Sequence, residues 1–272
     1  MSLTPSPRCT PASPLSLDPE PVVAALRAAG CVFAEDEARV LLATARDAAE
    51  LAAFVERRAT GLPLEHVVGW AEFCGLRIAV DPGVFVPRRR TEFLARQALA
   101  VTPPDAVVVD LCCGTGAVAA VLAARGPARL HAADLDPAAV ACARRNVGPL
   151  GGQVHEGDLY APLPARLKGH VDILIANGPY VPTADVALLP SEARDHERLM
   201  ALDGGADGLD VLRRVAAGAP DWLAPDGFLF VETGEHQAAD AVAAVRAAGL
   251  DGRVVEDDEL YATVVIARRT PR

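Results

Sequence analysis

Beyond residue 105 the chain alternates two hydrophobic rhythms. Short aliphatic and β-branched runs near 107–110, 128–133, 152–155, 171–175 and 227–232 read as buried strands. Between them, 137–146, 208–217 and 237–248 carry apolar residues at helical spacing. Such alternation predicts an α/β, Rossmann-like, doubly wound and mostly parallel sheet. The last two runs, 252–256 and 261–267, have no helix between them, so an antiparallel hairpin is expected at one edge. Upstream, Thr91 is expected to cap a helix over Glu92–Ala100, after an extended Val84–Pro87. Glu65 to Val80 reads as two strands around a turn at Cys74-Gly75. Earlier still, Asp18-Pro19-Glu20 opens a helix that stops at Gly30. Asp36–Ala45 and Asp47–Arg58 then repeat the helical period, with Leu41 and Leu51 on their apolar faces. The expected organisation is a disordered Pro/Ser-rich tail at 1–17, a helical lobe at 18–62, a β-hairpin linker at 63–90 and the α/β domain at 91–272.

Val107 to Gly116, V-V-V-D-L-C-C-G-T-G, is a buried strand breaking into a tight turn before a helix. Glycine tolerates positive φ and lets a ligand approach the backbone, while the helix start offers unpaired N–H groups. Gly114-Thr115-Gly116-Ala117-Val118-Ala119 also fits the dinucleotide fingerprint G-x-G-x-x-A, so the glycines alone decide little. Asp110 separates the two readings. Its carboxylate would repel a pyrophosphate but can accept from an α-ammonium group, which S-adenosylmethionine (SAM) carries. Asp134 ends the next strand, where it can take ribose hydroxyls, and Asp158 ends a third, within reach of an adenine amino group. Acids at three successive strand ends around a glycine turn favour SAM over NAD. The edge hairpin agrees, being a departure of SAM methyltransferases from the dinucleotide fold.

Composition narrows the alternatives. The net charge of −10, from 36 acids against 26 bases, argues against a nucleic-acid partner, which needs a basic face. The basic run Arg88-Arg89-Arg90 reads as a solvated edge. The six cysteines show no C-x-x-C pair and the six histidines no ligand spacing, so no metal is expected and a reducing, cytoplasmic setting is. No run approaches the ~20 apolar residues of a membrane span.

The fourth strand of the α/β region, Val171–Ile175, ends in Ala176-Asn177-Gly178-Pro179-Tyr180. Ligands sit at the carboxyl ends of such strands, so Asn177 should face the SAM methyl group. Asn-Gly-Pro-Tyr resembles the Asn-Pro-Pro-Tyr signature of methyltransferases that act on planar nitrogens. The remaining matches are Phe73-Cys74-Gly75, Pro82-Gly83-Val84-Phe85-Val86-Pro87-Arg88, Thr91-Glu92, Leu202-x-Gly204-Gly205-x-Asp207-Gly208-Leu209-Asp210 and Glu232-x-Gly234-x-x-Gln237. Together, from about Val22 to Arg268, the chain is similar to the release-factor glutamine methyltransferases, class I SAM-dependent enzymes. The resemblance implies N-methylation of a glutamine side-chain amide in a peptide chain release factor, with the helical lobe recognising that partner.

An amide nitrogen is a poor nucleophile, because its lone pair is delocalised. The Asn177 side-chain oxygen and the Gly178 carbonyl can grip its two N–H groups, while Tyr180 packs over the planar group. The candidate catalytic set is therefore Asn177, Gly178, Pro179 and Tyr180. The candidate cofactor set is Asp110, Cys112, Gly114, Gly116, Asp134, Leu135, Asp158, Leu159 and Asn177.

Several positions depart from the pattern. Gly178 stands for a proline, Arg89-Arg90 for Pro-Glu and Glu197-Arg198 for Glu-Pro, as in an actinobacterial-type paralogue. Two alternatives stay open: N-methylation of a small molecule, such as a free amino acid or its guanidino group, and a SAM-binding paralogue without catalysis. The loop from Val181 to Gly208 should lie over the site. Its acids, Asp185, Glu192, Asp195, Glu197, Asp203 and Asp207, form either a solvated face or an acidic lid for a cationic substrate.

Overall fold

The computed structural model describes residues 18–126 and 128–270, so the expected disordered tail lies outside the described residues. The chain divides into two compact units between Val68 and Gly69. The smaller holds helices α1 (Glu20–Ala28), α2 (Ala34–Thr44), α3 (Ala48–Ala59) and α4 (Leu64–Val68). Leu26, Ala34, Ala38 and Leu41 are fully buried at its centre. Asp47 caps α3 by accepting from the Glu50 N–H at 2.8 Å. A buried ion pair, Arg58 Nε to Glu37 Oε2 at 2.6 Å, ties α3 to α2. Two local expectations are corrected. His66–Val68 is helical rather than strand, because the run is too short to display a period and the Val67 N–H reaches the Pro63 carbonyl at 3.1 Å. Pro19, rather than Asp18, occupies the cap position of α1, and Asp18 accepts from the Glu20 N–H just outside it.

The larger unit opens with an antiparallel hairpin, β1 (Trp70–Phe73) and β2 (Leu76–Ala79). Its turn is the expected one, with Cys74 and Gly75 both at positive φ. Next come α5 (Thr91–Val101), β3 (Ala106–Leu111), α6 (Ala117–Arg125), β4 (Ala128–Asp134), α7 (Pro137–Val147), β5 (Gln153–Glu156) and β6 (Val171–Ala176). After them come α8 (Ser191–His196), α9 (Asp210–Trp222), β7 (Leu223–Thr233), α10 (Ala238–Ala247), β8 (Asp251–Asp257) and β9 (Ala262–Arg268). The seven-stranded sheet runs β5-β4-β3-β6-β7-β9-β8. β5, β4, β3, β6 and β7 are parallel, and β9 runs antiparallel between β7 and β8, so the edge hairpin is present. Every residue of β3 is buried, as a central parallel strand covered on both faces must be. One face packs on α5, α6 and α7 through Leu94, Leu122 and Val147; the other packs on α9 and α10 through Val215 and Ala241.

Strand order reverses at β3, which has β4 on one side and β6 on the other. Leu111 pairs with Ala176, so the glycine turn and the Asn177 tetrapeptide leave the sheet side by side. A crevice at this point is where open α/β sheets bind ligands.

Candidate active site

A cavity of about 410 Å³ occupies the crevice, walled by the turns after β3, β4, β5 and β6 and by the loop from Val181 to Leu202. Its size suits a small-molecule ligand. Of the residues singled out in the sequence, Cys112, Gly114, Asp134, Leu135, Asp158, Leu159, Asn177, Gly178, Pro179 and Tyr180 line it. Asp110 and Gly116 do not.

Asp110 is 2% exposed, and its Oδ2 accepts from the Ala119 N–H at 3.2 Å. It anchors the first turn of α6, and burial raises its pKa to about 7. Gly116 has φ +75, and a Cβ there would stand 2.7 Å from Val147 Cγ2. Its task is the close approach of α6 to α7, behind the site. Asp134 bridges two turns: Oδ2 accepts from the Gly114 N–H at 2.8 Å and Oδ1 from the Asp136 N–H at 2.9 Å. Burial raises its pKa, against these backbone bonds, which lower it. Leu135, next to it, is 53% exposed, an apolar side chain just past the end of β4. Cys112 and Leu159 line the cavity in the left-handed region, at φ 53 and 48. Such strain collects where a backbone is held for a ligand. Asp158 is exposed and pairs with Arg214 at 2.6 Å.

Asn177 stands one residue past β6. Its Nδ2 donates to Thr91 Oγ1 at 3.1 Å, which leaves Oδ1 for another donor. Thr91, expected as a cap, is instead the first residue of α5, with Arg90 at the cap position and no side-chain cap bond. At 4% exposure its hydroxyl serves Asn177 rather than the helix end. Gly178 fits against α9, since a Cβ there would lie 2.9 Å from Val211 Cγ1 and 3.6 Å from Cys112 Sγ. Tyr180 donates its hydroxyl to Glu232 Oε1 at 3.0 Å. Burial first, then the Glu232 charge, raises the phenol pKa, so the hydroxyl keeps its proton.

The tetrapeptide is clamped from behind. Gln237 Nε2 donates to the Tyr180 carbonyl at 2.9 Å and to the Asp207 carbonyl at 2.7 Å. Its Oε1 accepts from the Gly234 N–H at 3.0 Å and the Thr233 hydroxyl at 3.2 Å. Every polar valence of this buried amide is thus used. A Cβ at Gly208 would fall 2.2 Å from the Tyr180 carbonyl oxygen, and one at Gly204 2.6 Å from that of Pro179. These glycines let the Leu202–Asp210 segment run against the tetrapeptide, and the pairing of Val181 with Asp203 continues that contact. Asn146 does similar work for the glycine turn, donating to the carbonyls of Thr115 at 2.8 Å and Ala79 at 2.9 Å.

The loop acids are mostly committed elsewhere. Glu197 is buried on Arg88 (2.6 Å), Asp195 pairs with Arg194, Asp207 with Arg213, and Asp203 accepts from Thr183. Of the six, Glu192 alone lines the cavity. Asn146 and the pairings Thr91–Asn177, Arg88–Glu197 and Arg90–Glu232 were not assigned from sequence; Arg88, Glu232 and Gln237 appeared only as motif letters, and Thr91 as a motif letter and a cap. The spacing Glu232-x-Gly234-x-x-Gln237 was the available signal.

Among the described residues, no group of three or more His, Cys, Asp or Glu is arranged to hold a metal, and no helix is long and apolar enough to cross a membrane. Residues 75–189 match the Methyltransferase small domain family. A methyltransferase of Pyrococcus furiosus shares the fold at a TM-score of 0.56 and 15% identity, covering 73% of this chain and 91% of that one. A 4-amino-L-phenylalanine/4-methylamino-L-phenylalanine methyltransferase of Streptomyces pristinaespiralis is 39% identical over 72% of this chain and 69% of its own. A release factor glutamine methyltransferase of Geobacter sulfurreducens is 42% identical over 70% of this chain and 68% of its own; that of Mycolicibacterium smegmatis is 42% identical over 77% and 76%. With a strand-tip asparagine beside a glycine turn at the point where the sheet order reverses, and relatives of this similarity, the chain belongs to the release factor glutamine methyltransferase family and is a SAM-dependent methyltransferase.

Proposed function

We propose that the chain methylates the side-chain amide nitrogen of a glutamine in a peptide chain release factor. The carrying observation is the Asn177 amide, pinned through Nδ2 by Thr91 with Oδ1 left over, on the cavity wall beside the Gly178 carbonyl. Two fixed oxygens suit a substrate that presents two N–H groups from one planar nitrogen. Release-factor relatives at about this similarity support the same acceptor.

The cavity suits SAM by the nature of its walls. Leu135 and Leu159 would offer apolar faces to a purine, Asp134 a carboxylate to ribose hydroxyls, and the turn at Gly114 a wall for the amino-acid end. When bound, the cofactor supplies an electrophilic methyl group. Asn177 Oδ1 and the Gly178 carbonyl accept from the substrate N–H groups and aim the nitrogen lone pair. Tyr180, its hydroxyl fixed on Glu232, covers the planar amide. The transferred methyl would leave its sulfonium as a neutral thioether, and the nitrogen would release one proton to water. Asp110 and Gly116 act behind the wall, by holding α6 in place.

The N-terminal helical unit is assigned to recognition of the protein substrate, and the cytoplasm to the reaction; no disulfide joins the described cysteines. Mass spectrometry tests the reading, with methyl-labelled SAM offered alongside a release factor or a panel of free amino acids. Label on a release-factor glutamine supports it; label on a free amino acid, or none despite SAM binding, rejects it.

A further inference from the structure

The acceptor end of the cavity carries an asymmetry of charge. Arg88 and Arg90 both line it, and their side chains are 31% and 43% exposed. Their carboxylate partners, Glu197 and Glu232, are 0% and 1% exposed and do not line it. Of these two ion pairs, an incoming group therefore meets the guanidinium and not its carboxylate. The Arg90 guanidinium carbon lies 5.6 Å from the Tyr180 ring centroid, and Arg90 precedes Thr91, the residue that holds Asn177. Its contact with Glu232 runs through Nε alone, at 3.3 Å, and Glu232 Oε2 has no partner. A guanidinium held at one corner keeps donors for something else.

We propose that Arg90, seconded by Arg88, determines acceptor class by receiving the oxygen of a carboxamide and excluding cationic acceptors. The assignment rests on the reading of Asn177 and Gly178 as the grips for a planar nitrogen. Those two oxygens satisfy the N–H groups of a carboxamide but leave its carbonyl without a donor, which a water-poor slot penalises. Arg90 supplies that donor. An amine or guanidinium brings no such oxygen and adds a positive charge beside two others, which weakens binding. The charge also bears on the question left by the loop acids, since of the six only Glu192 lines the cavity where a cationic acceptor would enter.

The test uses the full chain loaded with S-adenosylhomocysteine, the demethylated cofactor. Calorimetry measures the binding of three peptides that are identical except for glutamine, lysine or arginine at the acceptor position. The glutamine peptide is expected to bind at least about tenfold tighter than either cationic one. Arg90→Gln should weaken the glutamine peptide several-fold, and Arg90→Glu should close or reverse the preference, both with cofactor affinity unchanged. Equal affinities for all three peptides in the native protein, no binding of any of them, or an unchanged preference in Arg90→Glu would overturn the proposal. Should Arg90→Glu not fold, the native protein and Arg90→Gln still decide. Methylation of the release factor is scored separately, so a failure of the parent reading is seen there and not confused with this one.

Discussion

Replacing Gln237 with glutamate exchanges one NH2 for an oxygen and keeps the shape. In the native chain that NH2 donates to the carbonyls of Tyr180 and Asp207 at 2.9 and 2.7 Å, in a residue only 4% exposed. In Gln237→Glu an ionised carboxylate would face two carbonyl oxygens, with little water to screen it. The protonated acid can donate to one of them, so the fold favours the neutral form and raises the pKa of the new carboxyl above about 4.3. A folded pKa above the unfolded one leaves this contribution intact below the unfolded value and removes it as pH rises through the folded one. Even when protonated, the variant leaves one buried carbonyl without a donor, at about 1–3 kcal/mol. A rise of about 3 units, as documented for buried glutamates, would add about 4 kcal/mol once pH exceeds the folded pKa. Urea unfolding of both proteins from about pH 5 to pH 8 measures this directly, because glutamine does not titrate and the difference isolates the new group. The gap in stability should widen with pH, and methyl transfer should fall with it as the Asn177–Tyr180 turn loses its anchor. A gap that stays flat or narrows would refute the clamp.

Four further predictions are independent of it. Asn177→Ala should hold SAM affinity within a few fold yet raise the barrier by about 2–4 kcal/mol, and single-turnover rates near those of the native protein would remove Asn177 from the mechanism. Asp134→Ala frees the N–H groups of Gly114 and Asp136, so calorimetry should show cofactor binding weakened about tenfold or more; intact affinity displaces the ribose assignment. Gly178→Ala drives a methyl group to 2.9 Å from Val211, an overlap of about 1–3 kcal/mol in thermal melts, and adding Val211→Ala should restore most of it. His131 and His155 lie 3.0 Å apart; both pKa values are lowered, chiefly by burial, that of His131 to about 4. Their contribution to stability is therefore complete above about pH 6.5 and lost as pH falls toward 4. His155→Gln should make that decline shallower, and a native protein equally stable across the window contradicts the assignment.

The sequence alone determined most of the elements, though not the short helix at Leu64–Val68. A buried run such as Val107–Val109 followed by glycines folds as strand and turn under local forces, and the missing helix between β8 and β9 forces their hairpin. The place of Asn177 on the cavity wall was legible because strand ends are where such sheets bind ligands. What lay beyond reach was pairing across long separations. Thr91 meets Asn177 86 residues away, Arg88 meets Glu197 at 109 and Arg90 meets Glu232 at 142. No periodicity encodes those meetings, since they follow from how whole strands and helices pack. So Thr91 read as a cap and Arg88–Arg90 as a solvated edge, and the bond of Asp110 to the Ala119 N–H went unread, until burial set each side chain's partner. Local spacing fixes what a segment becomes; only the packed sheet decides which side chains share a cavity, because a buried polar group takes the partner that the fold brings to it.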